Sequence, residues 1–81
     1  MNDVYKVRPV SPWMHLMEEI HARDWAVSDL RRMLHIDRTT FDDFLRGRIV
    51  IKGHLARELA RVFDTDPEFW VNLDRQWREG R

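Results

Sequence analysis

From Ser11 onward, apolar residues recur at intervals of three and four in five blocks, and the breaks between the blocks carry capping residues. That period predicts helices rather than strands. The first block opens on Ser11-Pro12, an N-cap followed by the residue best tolerated at the first helical position, and continues with Trp13, Leu16, Met17 and Ile20. The second runs from Ala26 to Leu34, where Val27, Leu30, Met33 and Leu34 form one stripe. The third starts at Asp37 as N-cap and carries Phe41, Phe44 and Leu45 to Gly47, a residue suited to the left-handed conformation that ends helices. The fourth starts near Gly53, with Leu55, Ala56, Leu59, Ala60, Val62 and Phe63. The fifth opens on Thr65-Asp66-Pro67-Glu68, which supplies a cap, an early proline and an acid at the positive end of the helix dipole. Phe69, Trp70, Leu73 and Trp77 follow on one side. Ile49-Val50-Ile51 could form a short strand, but in so helical a chain it reads as a buried connection. The expectation is an all-α domain over residues 11–81, preceded by an arm over residues 1–10 that has no helical period.

Eighty-one residues suffice for one domain with a modest core. No run of eighteen apolar residues is present, so no membrane helix is expected. The N-terminus lacks the apolar stretch of a signal peptide. There is no cysteine, which removes disulfides and thiolate metal sites and suits a cytoplasmic protein.

Fourteen basic and fourteen acidic residues give zero net charge, which argues against nucleic acid. Their distribution argues for it. Residues 31–61 hold eight basic and four acidic side chains, 8 − 4 = +4, and the remainder is 6 − 10 = −4. Such a run can equally be a solvated helix surface.

The second and third predicted helices are short and separated by only His35, Ile36 and Asp37, which is helix-turn-helix spacing. Helical bundles contain such pairs without binding DNA. The first turn of the third helix adds chemistry, because Arg38-Thr39-Thr40 sits where this motif reaches base edges. Arginine can pair bidentately with guanine, and threonine can meet a base or a phosphate. Arg46, Arg48 and Lys52 follow and could grip phosphates. Asp42 and Asp43 oppose phosphate, unless Asp43 accepts from a cytosine amino group. The candidate DNA surface is therefore Arg38, Thr39, Thr40, Asp43, Arg46, Arg48 and Lys52.

Residues 11–77 resemble the lambda-repressor-like (XRE) helix-turn-helix family, and within it the HigA antitoxins. The similarity rests on Arg38-Thr39-Thr40-Phe41, Leu45-Arg46-Gly47-Arg48, Leu59-Ala60-Arg61-Val62-Phe63 and Thr65-Asp66-Pro67-Glu68-Phe69-Trp70-Val71-Asn72-Leu73. The resemblance implies a five-helix fold, a homodimer, binding to double-stranded operator DNA, and often a ribonuclease toxin as partner. Several positions depart from the family pattern. Arg31 stands where a small residue is usual and must snorkel outward or spread the helices. His35 replaces a glycine and would be strained if left-handed. Ala26 replaces a serine cap, a loss on the order of 1 kcal/mol, and Val27 replaces a glutamine. The departures support a rival reading, a protein-interaction module in which the helix-turn-helix fold grips a toxin or other protein and DNA binding is weak or lost.

No catalytic constellation is legible. His15, His21, His35 and His54 form no i, i+4 ligand pair within one helix, no glycine-rich phosphate loop exists, and neither serine has a nucleophile setting. The chain reads as a non-enzyme without metal or cofactor. Four tryptophans are many for this length. Most belong to a core, but Phe69, Trp70, Leu73 and Trp77 exceed what one helix needs for docking, and they predict a homodimer interface.

Overall fold

The computed structural model describes residues 11–80, so the arm predicted over 1–10 lies outside the described residues. Five helices follow in order: α1 Pro12–Ala22, α2 Val27–Met33, α3 Arg38–Leu45, α4 Gly53–Phe63 and α5 Pro67–Glu79. No strand occurs among the described residues.

The Ser11 hydroxyl accepts from the N–H of Met14 at 3.0 Å, so α1 begins where the Ser-Pro pair predicts. Pro12, Leu16 and Ile20 turn inward. Asp24, left-handed at φ 61°, ends the helix, and the N–H of Trp25 returns to the Ile20 carbonyl at 2.8 Å. Asp64 does the same work after α4 at φ 56°. Both are aspartates, among the few side chains that tolerate this region.

One core joins α1 through α5: Leu16, Ile20, Leu30, Leu34, Phe41, Phe44, Ile51, Leu55, Leu59, Phe63 and Trp70 are all buried. Burial of each large side chain stabilises the fold by about 1.5–3 kcal/mol. Trp70 sits at its centre, fully buried. Its indole N–H donates to the Thr65 hydroxyl at 2.8 Å, and its ring meets Phe63 and Phe69 at centroid distances of 5.6 and 5.2 Å. Thr65 thus serves Trp70, while Asp66 occupies the cap position of α5 without a side-chain cap bond.

Residues 49–51 form a connection, as expected, with Ile51 buried and Val50 exposed. No described helix is long and apolar enough to cross a membrane.

Candidate nucleic-acid interface

The helix-turn-helix consists of α2, the turn Leu34–Asp37 and α3. α2 lacks a side-chain cap at Ala26, but the Asp29 carboxylate accepts from the Ala26 N–H at 2.8 Å. That bond recovers half of a capping box. Leu34 ends α2 in an extended conformation, φ −82° and ψ 126°. Among the described residues only Asp24 and Asp64 combine a side chain with positive φ. His35 is therefore not left-handed and carries none of the strain a glycine position would impose.

α4 holds this turn by side chains acting on backbone. The buried Glu58 carboxylate accepts from the His35 N–H at 2.9 Å and from the Arg61 guanidinium at 2.7 Å. Arg61 also donates to the Met33 carbonyl, and the His54 ring N–H donates to the His35 carbonyl at 2.7 Å. The bond from Arg61, then that from His35, hold the Glu58 carboxyl down at about 2. The charged form is thus the one the turn is built around.

At the other end of the turn, Asp37 caps α3 and accepts from the Thr40 N–H at 3.3 Å. The Thr40 hydroxyl and N–H hold its carboxyl below the usual range. Thr40 is therefore half-buried and engaged in capping, whereas Arg38 and Thr39 are exposed on the same turn. Asp42 and Asp43 are half-buried, and Arg46 is exposed at the end of the helix. Gly47, at φ 68°, turns the chain out of α3, and the Arg48 N–H reaches back to the Asp43 carbonyl at 2.8 Å. Arg48 and Lys52 are exposed beyond it.

The basic side chains divide into paired and unpaired ones. Arg23, Arg32, Arg61 and Arg78 are each in an ion pair with a carboxylate on their own helix or its flank. Among the described residues no ion pair includes Arg38, Arg46, Arg48 or Lys52, nor Arg31, Arg57 or Arg75; the first four are set apart by their place around α3. Their charge is not neutralised locally. Arg31 is exposed, with its guanidinium 6.0 Å from the centroid of the Phe41 ring. It snorkels over α3 rather than wedging between the helices.

α5 reaches the same region from behind. Asp74, 2% exposed, accepts from the Ile51 N–H at 3.2 Å and from Arg78 Nε at 2.9 Å. Arg78 also donates to the Ile49 carbonyl, and its guanidinium lies 5.4 Å from the Trp77 ring centroid. Sequence reasoning missed Asp74 and Glu58. The available signal was a carboxylate on an apolar stripe, Glu58 between Leu55 and Val62 and Asp74 between Trp70 and Trp77, each followed by an arginine three or four residues on.

The four residues predicted for a dimer face are not equivalent. Trp70 is spent in the monomer core. Leu73 and Trp77 are half-buried, and Phe69 is 40% exposed beside His15, at a ring distance of 5.3 Å. No cluster of metal-ligating side chains occurs among the described residues.

No protein-family model matches the chain. Among curated proteins it is 37% identical over 67 residues to an uncharacterized HTH-type transcriptional regulator of Haemophilus influenzae. It is 30% identical over 67 residues to the uncharacterized HTH-type transcriptional regulator YbaQ of Escherichia coli. Each match covers 82% of this chain, but the chain spans only 63% and 59% of those relatives. The fold matches an addiction module antidote protein of the HigA family from Coxiella burnetii, with a TM-score of 0.75 and 31% identity. That match covers 91% of this chain and 82% of the other. Five helices in this arrangement, with related sequence along nearly their whole length, place the chain in the lambda-repressor-like (XRE) helix-turn-helix family, in its HigA branch.

Proposed function

We propose that this chain is a sequence-specific repressor that binds double-stranded DNA as a homodimer. The observation that carries this reading is a cluster: four exposed cations, Arg38, Arg46, Arg48 and Lys52, none of them in an ion pair among the described residues, stand at the start, end and exit of one helix. α3 enters the major groove. Arg38 and Thr39 on its first turn meet base edges. Arg46, Arg48 and Lys52 neutralise phosphates and release counterions. A pair of chains related by a twofold axis presents two copies of α3 about 34–36 Å apart, one turn of DNA. The likeness to a HigA-family antidote supports the finer part of the reading: the repressor acts on its own operon and neutralises a ribonuclease toxin.

Mobility shift against the duplex upstream of its own gene, compared with random duplex across a salt series, tests this reading. Tight, salt-sensitive binding that prefers the upstream duplex is expected. Equal and weak binding to both would leave the chain a protein-interaction module. Asp42 and Asp43 on α3 are the observation that favours that second reading, because a carboxylate facing phosphate is repelled.

A further inference from the structure

α3 is followed by a connection that has no strand partner among the described residues, yet Arg48 and Lys52 stand on it. Its residues alternate: Ile49 and Ile51 face inward, while Arg48, Val50 and Lys52 are exposed. The chain bends at Ile49, and both cations are left in solvent at the two ends of the segment. Two polar groups tie the segment down. The Ile51 N–H is held by the Asp74 carboxylate at 3.2 Å, and the Ile49 carbonyl is held by Arg78. Asp74 and Arg78 are bonded to each other at 2.9 Å. The tether points are thus residues 49 and 51, and the cations are their outer neighbours, 48 and 52.

A carboxylate as buried as Asp74 is costly to desolvate, and an apolar side chain would fill the space as well. What an apolar contact cannot do is fix which backbone groups face α5. Directional bonds to one N–H and one carbonyl do fix it, so Ile49 and Ile51 are held toward α5 while Arg48 and Lys52 stay in solvent.

We propose that Asp74 and Arg78 are positioning residues for phosphate binding: from α5 they set the register of residues 48–52 so that Arg48 and Lys52 engage the DNA backbone together. This rests on the DNA-binding reading above.

The test uses the full chain, with Asp74→Asn and Arg78→Gln, a random-sequence duplex and the upstream duplex. Folding is checked by circular dichroism. Should Asp74→Asn fail to fold, Arg78→Gln carries the test, since that side chain is partly solvent-facing. Binding to random duplex should weaken about 5–20-fold, with the salt slope reduced by about 1–2, the signature of one or two lost phosphate contacts. Preference for the upstream duplex over random duplex should be unchanged, and Arg78→Lys should recover part of the slope. The Ile51 amide should lose hydrogen-exchange protection in Asp74→Asn. A folded variant with the wild-type slope overturns the assignment, as does a lost preference at constant slope, which would place the effect on α3. Wild-type protein that binds neither duplex overturns the DNA reading itself, and Ile51 exchange then reports on the tether alone.

Discussion

The indole of Trp77 lies against Gly47: its Cη2 is 3.2 Å from where a β-carbon on that glycine would sit. Gly47 is also left-handed, at φ 68°, so it meets two constraints at the point where the chain leaves α3. Gly53 is the control, with φ 55° and nothing within 4 Å of such a carbon. Gly47→Ala should cost about 1–2 kcal/mol from backbone strain alone, lowering Tm by roughly 5–15 °C in a domain of this size. Gly53→Ala should be milder, because only the backbone term applies. Thermal denaturation followed by circular dichroism compares the two, and equal losses would show that the indole yields freely.

Glu58 makes the stability of the helix-turn-helix turn depend on pH. Its carboxyl is held down at about 2 in the fold, below the ordinary glutamate value of 4.5, because Arg61 and the His35 N–H bond to the charged form. A depressed folded value means the stabilisation is complete above roughly pH 5 and is lost as pH falls from there toward 2. Glu58→Gln should therefore be destabilising by about 1–3 kcal/mol at neutral pH, the scale for a buried hydrogen-bond partner. Urea melts at pH 7 and pH 3 should show the gap between wild type and variant closing at the lower pH. A gap that stays constant would mean Glu58 acts by shape rather than charge.

On the proposed DNA surface, base reading and phosphate grip are separable. Arg38 is exposed on the first turn of α3, and Arg48 lies beyond the glycine that ends it. Arg38→Ala should cost about 1–3 kcal/mol on the upstream duplex and relax preference at one base pair. Arg48→Ala should weaken all duplexes alike and lower the salt slope by about 1. Competition binding across single-base variants distinguishes them, and equal losses from Arg38→Ala on every sequence would remove it as a base reader.

How much of this was legible beforehand differs between apolar and polar residues. Helix starts were, since Ser11-Pro12 and Asp37 name their own positions and the caps act locally. The inward apolar residues of α1 through α4 follow from period alone. The α5 stripe was misread by part of a turn: Trp70 and Asp74 point furthest inward, and Phe69 lies at the edge. Periodicity assigns charged residues to the outside, so it gives no sign that Asp74 and Glu58 are buried. Their partners are backbone groups 23 positions away in sequence, a relation no local pattern encodes. His35 shows the converse. A glycine position suggested left-handed strain, and the turn instead passes through extended Leu34.

Asp43 sits one helical turn before Gly47 and is half-buried, and its carbonyl accepts from Arg48. Its carboxylate is in no ion pair among the described residues. If it only repels phosphate, Asp43→Asn should tighten binding to every duplex, most at low salt, where the Debye length is about 30 Å. If it accepts from a cytosine amino group, the same change should lower preference for the upstream duplex without tightening random binding. No change in either quantity would mean that α3 does not lie in a groove.

The dimer prediction must be tested at Phe69 rather than at Trp77 or Trp70. Trp70 belongs to the core, and Trp77 covers Gly47, so truncating either disturbs the monomer before it reports on association. Phe69 is 40% exposed. Met14, on α1 beside the His15 that contacts Phe69, is 59% exposed. Large apolar side chains left in water by a small domain mark the centre of an interface more often than its rim. A single helix-turn-helix module buries only about 600–1,000 Å² on DNA, so pairing is what lifts its discrimination. Phe69→Glu places a charge on that face while leaving the core intact. Sedimentation at micromolar concentration should show a dimer for wild type and a folded monomer for Phe69→Glu, with upstream-duplex affinity falling at least tenfold. A wild-type monomer would remove the dimer, and a variant that remains dimeric would move the interface off this end of α5.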